Sequence, residues 1–196
     1  MKSLTLRAGL ALLCASTLAA CGGGSGSLVL QANIVGLTKD GLILTSGPDT
    51  YTVPANTTVV QFPTLVGADD TYDIEIKQQP THATCTLTNN KQKANVYTVV
   101  QPYVNCITDS YNLGGNVSGL TGIGLVIANG NDQVSVAPPS TPGASVFFQF
   151  PTKVGDGAPF GVTILAQPQN GQVCVASNNT GTMPSGDALG LIVTCH

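Results

Sequence analysis

The stretch GLTKDGLIL at residues 36–44 returns as GLTGIGLVI at residues 119–127, which lies 83 positions later. QFPT at residues 61–64 likewise returns at residues 149–152. The order of these motifs is kept, and small insertions account for the drift in their offset. Such a period is far longer than the roughly 20 to 50 residues of solenoid repeats. The repetition therefore indicates a duplicated domain rather than a repeat array.

Apolar and polar residues alternate within both copies. In YDIEIK at residues 72–77 the apolar side chains share one parity and the charged ones the other, and FGVTIL at 160–165 keeps the same inward parity. A period of two is typical of a half-buried β-strand, and turn residues such as those at 47–49 separate the segments. We expect an all-β chain of two tandem immunoglobulin-like β-sandwich domains, at residues 28–109 and 110–196, each with about seven strands.

Four of the six cysteines belong to the repeated units: Cys85, Cys106, Cys174 and Cys195. Four cysteines allow three pairings. Both copies space their cysteines by 21 residues, so pairing within a copy lets each domain close its own crosslink. We therefore predict the disulfides Cys85–Cys106 and Cys174–Cys195. Free structural thiols or a zinc site are the competing interpretations. Two histidines and no close cysteine pair do not match the usual zinc-ligand spacing, so we expect no metal.

The N-terminus has the features of a secretory signal. Lys2 and Arg7 precede an apolar run of 13 residues, from Ala8 to Ala20. This run is shorter than the roughly 20 residues that span a bilayer, and small residues end it. We assign residues 1–20 to a signal peptide, with the consequence that Cys14 is removed with it.

Leu18-Ala19-Ala20-Cys21 resembles the lipobox of bacterial lipoprotein precursors at all four positions. The resemblance implies cleavage before Cys21 and acylation of that cysteine, so the protein would contact the membrane through an N-terminal lipid. Residues 21–27 continue as a Gly/Ser segment, which is typical of a flexible tether. Gly22 in place of an aspartate implies, by the same resemblance, the outer membrane of the cell envelope, on either its surface or its periplasmic side. The alternatives are an ordinary cleaved signal with a chance cysteine after it, or a soluble protein with an apolar N-terminus.

Residues 33–196 resemble a repeat of Gram-negative bacterial surface proteins and lipoproteins, some of which are considered as antigens. The motifs that carry the resemblance are the two GL dipeptides, the alternating strands, Gln-Pro, and a closing Val-x-Cys. The first copy departs from the pattern after Gln-Pro, where it has Thr81-His82-Ala83 rather than a glycine. These motifs are structural, so the resemblance implies no catalytic residue.

Composition narrows the function classes. The signal contains two of the 7 basic residues, so the mature chain keeps 5 basic against 10 acidic side chains. Without a basic patch we expect no nucleic-acid partner. Neither His82 nor His196 accompanies a nucleophile motif, and we expect no enzymatic activity, no catalytic residue and no cofactor. The acidic side chains within residues 69–75 match no calcium-loop spacing, so we interpret this segment as a solvated loop.

The largest difference between the copies is APPSTPG at residues 137–143, which accounts for a five-residue insertion. Loops on rigid scaffolds often carry recognition. Phe148 has core parity, so its neighbour Phe147 is expected to face outward. We predict a contact surface that comprises Pro138, Pro139, Ser140, Thr141, Pro142 and Phe147. Drift of the loop after the duplication is the alternative interpretation.

Taken together, these features predict a lipid-anchored cell-envelope protein that acts as a non-enzymatic interaction or structural module. Its partner would be a protein or glycan whose identity the sequence does not encode. The alternative is a glycan-binding or small-ligand-binding protein of the outer membrane or periplasm. Sugar sites commonly stack on tryptophan, and the chain contains none, which disfavours this alternative.

Overall fold

The computed structural model describes residues 27–196. The predicted signal peptide, Cys21 and the tether up to Gly26 lie outside the described residues. The described part is all-β, as expected, with a single turn of 3-10 helix at Thr98–Val100. Within residues 27–196, no helix is long and apolar enough to cross a membrane.

The first half of the chain, residues 27–109, forms two four-stranded sheets. Its strands are β1 (Gln31–Val35), β2 (Leu42–Ser46), β3 (Asp49–Val53), β4 (Val59–Gln61), β5 (Thr71–Gln78), β6 (Ala83–Thr88), β7 (Lys91–Lys93) and β8 (Tyr103–Thr108). Sheet 1 has the order β4-β1-β8-β6, and sheet 2 has the order β3-β2-β5-β7. The first strand of this half therefore lies beside its last strand, and they are parallel.

The second half, residues 110–196, repeats this arrangement. Its strands are β9 (Ser110–Tyr111), β10 (Leu113–Ser118), β11 (Leu125–Asn129), β12 (Asp132–Val136), β13 (Val146–Gln149), β14 (Val154–Gly155), β15 (Pro159–Ala166), β16 (Cys174–Ser177), β17 (Thr180–Thr182) and β18 (Ala188–Cys195). Sheet 3 has the order β13-β10-β18-β16 and sheet 4 the order β12-β11-β15-β17, while β14 and β9 form a small separate pair.

Each half has eight strands in its two large sheets, rather than the seven expected from the sequence. The short edge strands β7 and β17 are the ones that sequence patterns do not predict. Their sequences, KQK and TGT, contain no apolar residue, so hydrophobic periodicity cannot reveal them. They pair instead because the neighbouring strands β5 and β15 offer a free edge.

Equivalent hairpins open sheets 2 and 4. The loop between β2 and β3 is Gly47-Pro48, and the loop between β11 and β12 is Gly130-Asn131. The first loop residue has a positive φ in both, 54° and 58°. Two-residue loops with glycine in this position are typical of type II′ turns, whose twist matches that of the flanking strands.

Each half has its own hydrophobic core. The first is built around Leu30, Ile34, Leu42, Leu44, Val60, Phe62, Tyr72, Ile74 and Val104. The second is built around Leu113, Val117, Leu125, Ile127, Phe148, Phe150, Val162 and Val193. The predicted parity is confirmed at Phe148, which is 3% exposed, and at Phe147, which is 53% exposed.

Both predicted disulfides are confirmed. Cys85–Cys106 links β6 to β8, and Cys174–Cys195 links β16 to β18, each across a directly opposed pair of adjacent strands. The antibody-domain disulfide joins two sheets, whereas each of these joins neighbours within one sheet. The sulfurs face the core, where the four cysteines are nearly fully buried.

A glutamine completes the outer edge next to each disulfide. The side chain of Gln79 accepts a hydrogen bond from the Cys85 N–H at 2.8 Å and donates one to the Cys85 carbonyl at 3.0 Å. Gln167 does the same to Cys174, also at 2.8 and 3.0 Å. Strands β6 and β16 lie at sheet edges, so each amide takes the place of a missing neighbouring strand. This gives the glutamine of the Gln-Pro motif the same structural role in both copies.

Candidate contact surface

The predicted recognition loop connects β12 to β13 and has a defined turn at its tip. The Ala144 N–H donates to the Thr141 carbonyl at 3.2 Å, and Gly143 has a φ of 80°. Proline at the second position and a left-handed glycine at the third are typical of a type II turn. Pro138 and Pro139 are half-buried, and Ser140, Thr141 and Pro142 are exposed. The loop therefore leads from a partly anchored proline pair to an exposed turn.

Phe147 is the second residue of β13 and lies on the outer face of sheet 3. The register places it opposite Asn116 of β10, which is in turn paired with Ile192 of β18. Ser177 of β16 lies opposite Ile192 and ends the row. Phe147 and Ile192 are both about half-exposed. They flank Asn116, so the row presents one apolar side chain on each side of an amide.

Sheet 1 presents an equivalent row on its outer face. Val59 of β4 pairs with Asn33 of β1, and Asn33 also pairs with Tyr103 of β8. Thr88 of β6 lies opposite Tyr103. The Asn33 amide donates to the Val100 carbonyl at 2.9 Å. The same sequence of apolar, asparagine, apolar and hydroxyl side chains therefore crosses both sheets.

Neither of these faces carries a charge. The eight strands of sheets 1 and 3, over the residues that the structure describes, contain no Asp, Glu, Lys or Arg. The strand charges of the first half belong to sheet 2, at Asp49, Asp73, Glu75, Lys77, Lys91 and Lys93. There Asp73 pairs with Lys91 at 2.6 Å, and that carboxylate raises the pKa of the Lys91 ammonium. We call the outer surfaces of sheets 1 and 3 the uncharged faces.

Sequence reasoning found Phe147 but missed its neighbours on sheet 3. Ile192 and Val175 project from the same face and are each about half-exposed. Their signal was present in the chain, because each has the parity opposite to a buried cysteine of its own strand. What the parity does not encode is the lateral order of β13, β10, β18 and β16, which brings these side chains together.

The two halves meet at a charged contact. Lys39 Nζ lies 2.5 Å from Asp156 Oδ2, and the Asp156 side chain is 6% exposed. On the main chain, the Asp156 N–H donates to the Asp109 carbonyl at 2.8 Å, and the Asp109 N–H donates to the His82 carbonyl at 2.9 Å. A cleft of about 350 Å³ is lined by both halves here. We call this region the junction.

The surroundings at the junction shift the pKa values of two side chains, Asp156 and Tyr111. Hydrogen bonds from Lys39, and after it from Ser185, hold the pKa of the Asp156 carboxyl below its ordinary value. Burial, followed by the negative charge of Asp109, raises the pKa of the Tyr111 phenol. The Tyr111 hydroxyl oxygen lies 3.5 Å from His82 Nδ1. The two facing charges, Lys39 and Asp156, neutralise one another, so the cleft offers a ligand mainly main-chain groups and threonine hydroxyls.

Among residues 27–196, no three or more His, Cys, Asp or Glu side chains lie close enough to hold a metal ion. The two histidines occupy structural positions. His82 adopts a left-handed turn conformation with a φ of 51°, and the main chain of His196 exchanges two hydrogen bonds of 3.0 Å with Val173. The uncharged faces, with Phe147, Ile192 and Val175 exposed on sheet 3, are therefore the surface we consider for binding.

Comparison with known proteins adds no assignment. No protein-family model matches the chain, and no curated protein matches it either.

Proposed function

We propose that the chain is a lipid-anchored cell-envelope protein that acts as a non-enzymatic interaction module. In this proposal Cys21 bears the lipid, residues 21–27 form the tether, and residues 28–109 and 110–196 are tandem β-sandwich domains of immunoglobulin-like type. The family resemblance of residues 33–196 to surface lipoproteins and antigens supports the envelope location. The observation that carries the interaction role is the repeated uncharged face.

The tandem-domain arrangement is supported by how the interactions are distributed. Every strand pairing of the four large sheets stays within one half, and each half has its own core and disulfide. Two sheets that enclose a core describe a sandwich. The parallel pairing of the first and last strands and the disulfide within one sheet are variations on the immunoglobulin-like arrangement.

The uncharged faces support binding to another macromolecule. Charged residues are depleted at the centres of protein interfaces, where aromatic residues are enriched. The face of sheet 3 follows this pattern with Phe147, Ile192 and Val175, all at least 47% exposed. The loop at Pro138–Pro142 continues directly into β13 and extends the proposed surface at its edge.

The surface is tested by capture of partners from envelope and host extracts on immobilised protein. We expect the double variant Phe147→Ala, Ile192→Ser to lose partners that the wild-type protein retains. Leu165→Ala is the matched control, because Leu165 is 57% exposed but lies on sheet 4. Equal capture by the double variant and the control would refute the role of this face.

The anchor is tested separately by mass spectrometry of the mature N-terminus. We expect Cys21 to be the first residue and to carry the mass of attached acyl chains. An N-terminus at another residue, or an unmodified Cys21, refutes the anchor. Protease treatment of intact cells then assigns the side of the membrane, because surface display releases the domains whereas a periplasmic orientation protects them.

Glycan binding is the second candidate, and one feature of the face favours it. Amide and hydroxyl side chains border the exposed aromatic residue, with Asn116, Ser177 and Thr194 on the same side of sheet 3 as Phe147. Such groups can bind sugar hydroxyls while the ring covers an apolar sugar face. Binding on a glycan array that Phe147→Ala abolishes would favour this candidate over a protein partner.

A further inference from the structure

Four exposed apolar side chains lie at the end of the first half from which the N-terminal segment leaves. Tyr97 is 75% exposed and Val96 63%, and these are among the most exposed large hydrophobic residues described. Leu65 and Val29, at 46% and 44%, belong to the same end. We call these four side chains the apolar tip.

Main-chain hydrogen bonds hold the loops of the apolar tip together. Leu28, next to Val29, exchanges two bonds with Val66, next to Leu65, at 3.0 and 2.9 Å. A few residues further on, the Asp69 N–H donates to the Ala94 carbonyl at 2.8 Å. Ala94 precedes the loop that carries Val96 and Tyr97. Three chain segments therefore meet where the described chain begins, at Ser27.

The loop that presents Tyr97 is fixed rather than loosely hinged. Asn95 Oδ1 accepts the N–H groups of Tyr97 at 2.9 Å and Thr98 at 3.1 Å. Thr98 Oγ1 donates to the Lys93 carbonyl at 2.7 Å, and the Tyr72 hydroxyl donates to the Thr98 carbonyl at 2.8 Å. The exposure of Tyr97 is thus a consequence of how the loop is built.

The second half provides an internal comparison. Met183 forms the same pair of main-chain bonds as Ala94, at 2.9 and 2.8 Å, so the two residues occupy equivalent positions in the two halves. The apolar positions of the first copy are polar or glycine in the second. Val29, Leu65, Val96 and Tyr97 correspond to Asn112, Lys153, Ser185 and Gly186. Nothing in the shared fold requires apolar residues at this end.

We propose that the apolar tip rests on the lipid surface to which Cys21 anchors the chain. This inference depends on the lipid anchor of the proposed function and adds an orientation to it. Six residues separate Cys21 from Leu28, and they span at most about 22 Å when extended. The end that bears the tip is therefore held close to the bilayer. Tyrosine favours the membrane–water interface, where its ring is buried and its hydroxyl stays hydrated.

The opposite end of the first half points away from the lipid in this arrangement. Strands β1 and β8 are parallel, and both run from the tip towards the junction. The second half would therefore stand distal to the membrane, with its uncharged face available to partners. Asp69 and Asp70 border the tip beside Lys93, so the contact relies on apolar insertion rather than on attraction to anionic lipid.

The test couples the mature chain from Cys21 onward, which contains every described residue, through the Cys21 thiol to a maleimide-headgroup lipid. The vesicles contain phosphatidylcholine and phosphatidylethanolamine, with or without brominated acyl chains. Because the chain lacks tryptophan, Tyr97→Trp supplies a single reporter. We expect its emission to shift to the blue on coupling and to be quenched by the brominated lipid.

Phe147→Trp is the matched control, an exposed aromatic residue on the second half, and its emission should not change. Adding Leu65→Lys and Val96→Ser to the Tyr97→Trp protein should weaken the quenching. Equal emission changes in the Tyr97→Trp and Phe147→Trp proteins, or none in either, overturn the orientation. The synthetic anchor makes this outcome independent of natural acylation, so a failure of the tip is distinguishable from a failure of the lipid assignment.

Discussion

Gln79 and Gln167 illustrate at the residue scale how one side chain can complete a sheet edge. Each amide pairs with both main-chain groups of the cysteine next to it in space. Partly buried main-chain groups cost free energy when they lose their partners. The glutamine therefore protects the strand that carries the disulfide, and the cysteine and glutamine form one structural unit.

Replacing Gln167 with alanine should lower the free energy of unfolding of the second half by about 1 to 2 kcal/mol, because two main-chain groups lose their partner. Chemical unfolding followed by circular dichroism measures the change. Gln133→Ala, at an exposed position of β12, should be nearly neutral. If both variants lose equal stability, the amide pairing has no special role.

Gly36 and Gly119 are required by their surroundings as well as by their backbone conformation. Their φ values are 75° and 74°, and a β-carbon at either would collide with the carbonyl oxygen of Cys106 or Cys195. Gly130 also has a positive φ of 58°, but nothing lies within 4 Å of the position its β-carbon would take. A comparison of Gly119 with Gly130 therefore separates the free-energy cost of backbone strain from that of a steric clash.

Gly119→Ala should destabilise the second half by about 3 kcal/mol or more, because a left-handed alanine costs about 1 kcal/mol and a main-chain carbonyl must also move. Gly130→Ala should cost only about 1 kcal/mol, from the backbone alone. Thermal unfolding of the two variants measures the difference. Equal losses of stability in the two variants would show that the Cys195 carbonyl moves aside without a free-energy cost.

At the scale of elements, one disulfide lies in each half of the chain. Each lies between the edge strand of a sheet and its neighbour and closes a segment with a sequence separation of 21 residues. In the chain-entropy description, such a loop limits the unfolded chain more than it alters the folded one. The crosslink should therefore affect the half that contains it.

Cys174→Ala together with Cys195→Ala should lower the free energy of unfolding of the second half by about 3 kcal/mol. Limited proteolysis across a urea series can follow the two halves separately. The corresponding change at Cys85 and Cys106 should affect the first half alone. A pair of substitutions that destabilised both halves equally would contradict independent domains.

At the scale of the whole molecule, the junction couples the halves through Lys39 and Asp156. The pKa of Asp156 is lowered in the folded chain, so its charged form contributes stability at pH values above the ordinary value of 3.8. This contribution is lost as the pH falls through the depressed folded pKa. Acid should therefore weaken the contact between the halves before it affects either core.

Asp156→Asn should lower the melting temperature near neutral pH, and its difference from the wild-type protein should disappear in strong acid, below the depressed pKa. Calorimetry between pH 2 and 7 measures this difference. Asp73→Asn removes an exposed partner of Lys91 instead and should change little, since surface ion pairs contribute weakly. A difference between Asp156→Asn and the wild type that persists unchanged at pH 2 would contradict the ion-pair contribution.

Local alternation was sufficient to predict much of the fold. Phe147 and Phe148 were correctly assigned to opposite faces because successive side chains of a strand point in opposite directions. The disulfide pairs also followed from the equal spacing in the two copies. The short strand β7 and the pairing of β9 with β14 did not, since they depend on an available edge or on a distant partner.

The order of residues along the chain was enough to infer the duplication, the all-β class, the inward and outward parity of the strands, and the cysteine pairs. The folded chain was needed to show that Asn33 lies beside Tyr103, that Phe147, Asn116 and Ile192 share a row, and that Lys39 contacts Asp156. This division arises because the pleat of a strand sets the face of each side chain through its immediate neighbours in the chain. The choice of the adjacent strand depends instead on contacts between residues far apart in the chain.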